Sequence, residues 1–278
     1  MQKIEVTPRV WERVLAIRAG LACACCGDWS ASERRALDLY GPVARRDLGP
    51  VAIGQIGQSL DGRIATVTGD ARDISGPDGL KHLHRLRALV DGVVIGVRTA
   101  LHDTPQLTVR LCPGSNPARV VIDPQGRLPD DAPVLRDDGA RRFVVQGVDR
   151  PRFDGVEAIR LPAPDGRFDP AQIDTALRDA GLSVLLIEGG AITLANFLDS
   201  GRLTRLHVAV TPLLIGGGPP GFHTREPVSR LSDALRPEAR VFALGSDILF
   251  DCEISPEAAM ASEPVHAPAR SRIGAAPY

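Results

Sequence analysis

From residue 51 onward, short apolar runs alternate with longer amphipathic stretches. Val51-Ala52-Ile53-Gly54-Gln55-Ile56 reads as a buried strand closed by Gly57, and Asp61-Gly62 supplies turn chemistry. Residues 78–90 carry apolar positions at helical spacing, and Val93 to Val97 follows as a second buried strand. Val120-Val121-Ile122 and Phe143-Val144-Val145 each run into turn residues, at Asp123-Pro124 and Gly147. The pattern then predicts a helix over 170–180, a strand over 184–187, a helix over 191–198 and a strand over 206–210. Two last strands, 241–244 and 248–250, pair across Gly245-Ser246-Asp247. Strands that alternate with helices imply an α/β fold with a mostly parallel sheet, here ending in an antiparallel hairpin.

The front of the chain follows a different rhythm. Residues 7–19 read as a helix started by Thr7-Pro8, with Val10, Val14 and Ile17 on one stripe beside Trp11 and Leu15. Gly41 to Pro50 reads as a connector, so a boundary is placed near Gly49. This divides the chain into a helical N-terminal appendage (1–49), a main domain (50–255) and a tail (256–278). The tail is rich in Ala, Pro and Ser and is expected to be mobile. The appendage's stripe must be buried somewhere, over a site or in a dimer interface.

At 278 residues and 44% hydrophobic, the chain can bury one large core. Its formal net charge is −1 and no run of Lys or Arg exceeds two, so nucleic-acid binding is not expected. The first residues lack the apolar stretch of a signal peptide, and no segment is apolar enough to span a bilayer, so a cytoplasmic protein without membrane contact is expected. Five cysteines, three of them crowded into Cys23-x-Cys25-Cys26, make a poor disulfide framework. That cluster suits a soft metal, yet structural zinc asks for four ligands in paired spacings and no second pair follows; no metal is expected. A zinc deaminase is disfavoured too, because neither His-x-Glu nor Pro-Cys-x-x-Cys occurs.

Candidate chemistry sits where the strands end. The junction Glu188-Gly189-Gly190-Ala191-Ile192-Thr193 places two glycines between a buried strand and a helix. Glycine lets a backbone approach a diphosphate, and the first helical amides can donate to it; an ordinary strand-to-helix turn favours glycine as well. The chain reads as lacking the Gly-x-Gly-x-x-Gly fingerprint, which argues against a standard dinucleotide fold. In Gly96-Val97-Arg98-Thr99, Thr99 can cap the next helical turn or reach a phosphate, and Arg98 can offset a 2′-phosphate. Arg87 falls inside the apolar stripe Leu80, Leu83, Leu86 and Val90, so its guanidinium needs an anion, either a structural carboxylate or a ligand phosphate. Glu188 either pairs with such an arginine or orients a substrate. His82 and His84 read as a solvated helix face, and Gly216-Gly217-Gly218 as a structural turn.

Together with Ser59-Leu60-Asp61-Gly62-Arg63 and Pro105-Gln106-Leu107-Thr108-Val109-Arg110, these segments resemble the reductase domain of riboflavin biosynthesis over roughly Val51 to Ile254. The resemblance implies a dihydrofolate-reductase-like fold, NADPH as cofactor, a phosphorylated small-molecule substrate and a homodimer. It implies hydride transfer to C1′ of a ring-opened ribosylamino-pyrimidine phosphate, without metal or covalent intermediate. Arg87, Leu107, Arg110 and Glu188 would meet the substrate. Gly57, Arg98, Thr99, Asp103, Gly189, Gly190, Ala191, Ile192 and Thr193 would hold the cofactor, with Glu188 and Asp103 nearest the chemistry. That reductase is often fused behind a deaminase, whose signature this chain lacks. The chain departs from the family at Thr104, where a second acid is usual, at Ala71, usually serine, and at Asp73, usually aromatic. Two alternatives follow: a same-fold reductase of a pterin or small carbonyl compound, or a nucleotide-binding protein without turnover.

Overall fold

The computed structural model describes residues 2–72, 74–188, 190–222 and 227–254. Asp73, Gly189 and the tail from 255 onward lie outside these residues, as do the expectations attached to them. The elements in chain order are β1 (Gln2–Lys3), α1 (Pro8–Arg18), α2 (Ala31–Ala44), β2 (Val51–Ser59), α3 (Pro77–Leu89), β3 (Gly92–Gly96), α4 (Val97–His102), β4 (Ala118–Asp123) and β5 (Arg142–Gln146). They continue with β6 (Val156–Arg160), α5 (Pro170–Asp179), β7 (Val184–Glu188), α6 (Ala191–Asp199), β8 (Arg205–Thr211), β9 (Glu238–Leu244) and β10 (Asp247–Glu253). The strands form one sheet in the order β1-β9-β10-β8-β2-β7-β3-β4-β5-β6. Every described pairing is parallel except those of β10 with β8 and β9. The expected parallel sheet and terminal hairpin are therefore both present.

β3 and β7 are apolar over Val93–Ile95 and Val184–Ile187 because helices cover both faces. On β7, Val184 and Leu186 join one core while Leu185 and Ile187 join the other, and Val93 and Val94 of β3 divide in the same way. The first core also contains α1, α2 and the Leu86/Leu89 side of α3. The second is closed by α5 and α6 through Ile173, Leu177, Leu194 and Phe197.

Two sequence readings need correction. The front segment is no appendage in packing terms: Val10, Trp11, Val14, Ile17, Leu37, Leu39, Tyr40 and Val43 are all buried in the first core, and β1 extends the sheet beside β9. Nor is Gly41-Pro42 a connector, since both lie inside α2. Proline cannot donate to the carbonyl four residues back. That carbonyl, on Asp38, instead accepts from Arg240 Nη2 at 3.1 Å. α2 is further secured by a capping box in which Ser30 and Glu33 exchange side-chain and backbone bonds. The exposed edge strand β6 was not visible in the pattern, because Glu157, Ala158 and Arg160 face solvent.

Candidate active site

Parallel strands direct their carboxyl ends to one edge, where open α/β sheets bind ligands. β7 ends there in Glu188, which is buried together with Arg87 of α3. Arg87 Nε donates to Glu188 Oε2 at 2.9 Å, its Nη2 donates to Oε1, and its Nη1 donates to the Thr108 carbonyl at 3.1 Å. Of the two anions Arg87 could meet, the protein supplies the carboxylate. The same helix holds the next loop from a second point, because His84 Nδ1 accepts from the Arg110 backbone amide at 2.9 Å. Burial, reinforced by Arg87 and Arg110, pushes the His84 pKa down to about 4, so the ring is neutral and free to accept. The Arg110 guanidinium is exposed and donates to the Thr108 hydroxyl at 2.5 Å.

Between α4 and Arg110 the backbone adopts left-handed conformations at Thr104 (φ 44°) and Leu107 (φ 56°), unusual for residues other than glycine. Leu107 is anchored in the first core, while Asp103 is exposed beside His102, its Oδ1 2.7 Å from His102 Nδ1. Such strain persists only where the surroundings over-determine it. Here Arg87, His84 and the buried Leu107 side chain are those surroundings.

The two phosphate candidates meet. Gly190 caps α6 at φ 69° with no side-chain bond, so its first-turn amides have no capping side chain to satisfy them. A Cβ on Gly190 would lie 2.9 Å from the Thr99 hydroxyl, and one on Gly96 would lie 2.7 Å from the Thr193 hydroxyl. Two glycines and two threonine hydroxyls thus line a narrow space at a helix N-terminus, a donor set that fits the diphosphate of a dinucleotide. Thr99 does so from the first turn of α4; the N-cap is Gly96, not Thr99 as the sequence suggested. Arg98 and Ile192 are exposed nearby in sequence, and Ala191 is half-buried.

A cleft of about 170 Å³ lies against α3, lined by Gln55, Gly57, Ile64, Ala71, Ile74, Ser75, Gly79, Leu80 and Leu83. Leu80 and Leu83 are only half-buried because they face this cleft. A larger depression, about 290 Å³ between Asp130 and Asp154, contains none of the expected site residues. Its charged rim also pairs internally, as in Arg142 with Asp137, which argues against it as the main site.

Other motifs prove structural. Asp61 accepts from Ser59 Oγ at 2.6 Å and from the amides of Ile215 and Gly216 at 3.1 and 2.7 Å, which holds its pKa down at about 2. Arg63 Nη1 donates to the Gly218 carbonyl at 3.1 Å, so the Ser59–Arg63 segment pins the glycine turn. Gly216, Gly218 and Gly221 do spell Gly-x-Gly-x-x-Gly, a run that sequence reading overlooked, but among the described residues no helix opens there.

The histidines were misread. His82 and His84 are both buried, and His82 belongs to a chain that spacing did not reveal. Tyr40 Oη lies 2.9 Å from His82 Nδ1, His82 Nε2 lies 3.1 Å from His207 Nδ1, and His207 Nε2 lies 3.2 Å from Asp251 Oδ1. Asp251 also accepts from Arg205 at 2.5 and 2.7 Å and from Arg240 at 2.9 Å. With neutral rings, Tyr40 donates to His82 and His82 to His207, which leaves the His207 Nε2 hydrogen facing Asp251 Oδ1 at 3.2 Å in an electrostatic contact whose geometry falls short of a hydrogen bond. Burial pushes both histidine pKa values below the usual 6.5, which agrees with neutral rings.

The comparisons with known proteins coincide with this geometry. The family model described as RibD C-terminal domain matches residues 50–250. The chain is 32% identical over 212 residues to a 2,5-diamino-6-ribosylamino-4(3H)-pyrimidinone 5′-phosphate reductase of Methanothermobacter thermautotrophicus, covering 73% of this chain and 97% of that protein. It is 32% identical over 167 residues to the riboflavin biosynthesis protein RibD of Aquifex aeolicus, but spans only 46% of that longer protein. Among solved structures, RibD of Acinetobacter baumannii superposes with a TM-score of 0.66 at 22% identity, over 81% of this chain and 64% of that one. The riboflavin biosynthesis reductase Rib7 of Saccharomyces cerevisiae gives 0.59 at 17% identity, over 89% and 99%.

The fold is thus the dihydrofolate-reductase-like arrangement of these reductase domains. The chain belongs to the RibD C-terminal domain family.

Proposed function

We propose that the protein is a reductase of riboflavin biosynthesis that uses NADPH to reduce the ribosyl C1′ of a ribosylamino-pyrimidine phosphate to a ribitylamino product. The observation that carries this reading is the meeting of Gly96, Thr99, Gly190 and Thr193 at the strand edge where Arg87 fixes Glu188. The cofactor would supply the hydride, while the protein binds, orients and excludes water. Gly190, Thr99, Thr193 and the α6 amides would hold the diphosphate, and exposed Arg98 would meet the 2′-phosphate. Arg110 is the cation left open to the substrate phosphate. Arg87, fully engaged, keeps Glu188 and the Thr108 carbonyl in place, so that Glu188 can orient the sugar. Asp103 would accept from a ligand hydroxyl beside the strained loop. Homodimerisation belongs to the same reading and is checked by light scattering.

The test is NADPH oxidation across a panel of phosphorylated and dephosphorylated ribosylamino-pyrimidines, with the product followed by a two-dalton mass increase. Turnover with none of them, but with a pterin or small carbonyl compound, would favour the second reading, to which Ala71 in the cleft wall lends weight. NADPH binding without turnover on any substrate would leave a binding protein.

A further inference from the structure

Cys23, Cys25 and Cys26 lie in the loop between α1 and α2, outside the region matched by the family and away from every residue assigned above. Their three Sγ atoms all fall within 4.8 Å of one another, with Cys25 at 2.9 Å from Cys23 and 3.7 Å from Cys26. All three thiols are free and exposed. Exposed cysteines on a mobile loop would not converge without cause, and this loop is tied down at four successive points. Arg13 donates to the Cys23 carbonyl (3.3 Å), Arg34 to Ala24 (2.7 Å), Trp29 Nε1 to Cys26 (2.9 Å) and Arg9 to Asp28 (3.0 Å). Gly27 completes the fold-back at φ 110°, where a Cβ would run into the Trp29 ring at 2.8 Å. Arg9 and Arg13 also lie over that ring, at 4.8 and 5.5 Å, which holds the Trp29 side of the loop in place.

The geometry points to a surface site for one thiophilic d10 metal ion, of the zinc(II) or copper(I) kind, held by the thiolates of Cys23, Cys25 and Cys26. Sulfur is the donor such ions select, and Zn–S bonds of about 2.3 Å place tetrahedral sulfurs about 3.8 Å apart. The Cys25–Cys26 separation already matches, and rotation of exposed side chains brings Cys23 to the same distance. A disulfide would use two sulfurs and leave the third pointed at the bond. Binding forms three S–metal bonds and passes the thiol protons to the buffer, with no change of oxidation state. Among the described residues no His, Cys, Asp or Glu completes a larger ligand group. Zinc would therefore keep water in its fourth position, whereas copper(I) would be satisfied by three sulfurs. The sequence argument against metal counted paired spacings; three converging ligands on a pinned loop are a different arrangement.

The experiment uses the full chain, reduced and free of oxygen. Zn²⁺ and Cu(I) are titrated against chelators of known affinity, and Cd²⁺ serves as an optical probe whose thiolate-to-metal band scales with the number of sulfurs. The expected result is one equivalent bound, a three-thiolate band, and a loss of about a hundredfold in affinity for each of Cys23→Ser, Cys25→Ser and Cys26→Ser. Cys112→Ser should bind like the parent. The proposal is overturned if binding survives in the triple serine variant, if any one of the three cysteines proves dispensable, or if the reduced chain takes up no ion.

Discussion

The two faces of this sheet teach opposite lessons about one backbone. On the face covered by α5 and α6, the strands present Leu185, Ile187, Val94 and Phe143, and the helices close over them mainly with Ile173, Leu177, Leu194 and Phe197. On the other, odd-numbered positions of β2, β8 and β10 and even-numbered positions of β7 bring buried Gln55, His207, Asp251 and Glu188 into the interior. Buried polar groups of this kind are tolerated only with partners. The covering helices supply them for Glu188 and His207, through Arg87 and through His82, which Tyr40 backs from the segment outside the family match, while neighbouring strands supply Arg205 and Arg240 to Asp251. The apolar face needs volume; the other needs particular atoms at particular places.

The largest expected effect comes from removing a layer of the polar face. A chain lacking residues 1–48 loses eight large buried side chains, at roughly 1.5–3 kcal/mol each, against a total stability of about 5–15 kcal/mol. It should show no cooperative melt. A sharp melt near that of the full chain would restore the appendage reading.

Next comes the central ion pair. Arg87→Ala leaves Glu188 buried and unpaired, which should cost about 3–5 kcal/mol. Denaturant unfolding should show Arg87→Ala/Glu188→Gln to be more stable than Arg87→Ala alone. If the double variant is the less stable of the two, the pair is not what makes that face costly.

Gly190→Val tests the edge between the faces. Its positive φ and the crowding against Thr99 should cost about 1–2 kcal/mol and abolish the NADPH-induced rise in Tm. Wild-type NADPH affinity in this variant would place the diphosphate elsewhere. In the parent, a larger Tm rise with NADPH than with NADH would support Arg98 as the phosphate reader.

The smallest effect is titration. His84 stays neutral in the folded protein down to about pH 4, whereas in the unfolded chain it protonates near 6.5. The unfolded state therefore binds the extra proton first, and stability should fall as pH drops from 6.5 towards 4, with no contribution above that window. His82 and His207 shift in the same direction. His84→Asn should flatten part of the slope in Tm against pH; an unchanged slope would assign all of it to the other two.

The legibility of the sequence divides along the same line. Apolar runs gave β2, β3, β4, β5, β7 and β8 because both faces of those strands are covered, and the glycines before α6 marked a backbone constraint. Arg87 stood out as a charge on an apolar stripe. His82 did not, since a polar residue beside Lys81 reads as solvated until its partners are known. Those partners lie 42 and 125 residues away. α2 was hidden by Gly41-Pro42, and only Arg240 shows how its vacated carbonyl is satisfied. The approach of Thr99 to Gly190 and of Thr193 to Gly96 is a product of packing and has no local signature.

The strand order also has a consequence for how the protein is made. β3, β4 and β5 are sequential parallel neighbours and can pair as they leave the ribosome. β2 cannot, because its neighbours β7 and β8 are synthesised long after it, and β7 must insert between β2 and β3. Closing such distant pairs late is slow. Until β8 and β10 emerge, Tyr40 and His82 have no route to Asp251, and the polar face stays open to water and to chaperones. The segment that carries Tyr40 is thus translated well ahead of β8 and β10, the strands that complete its polar contacts.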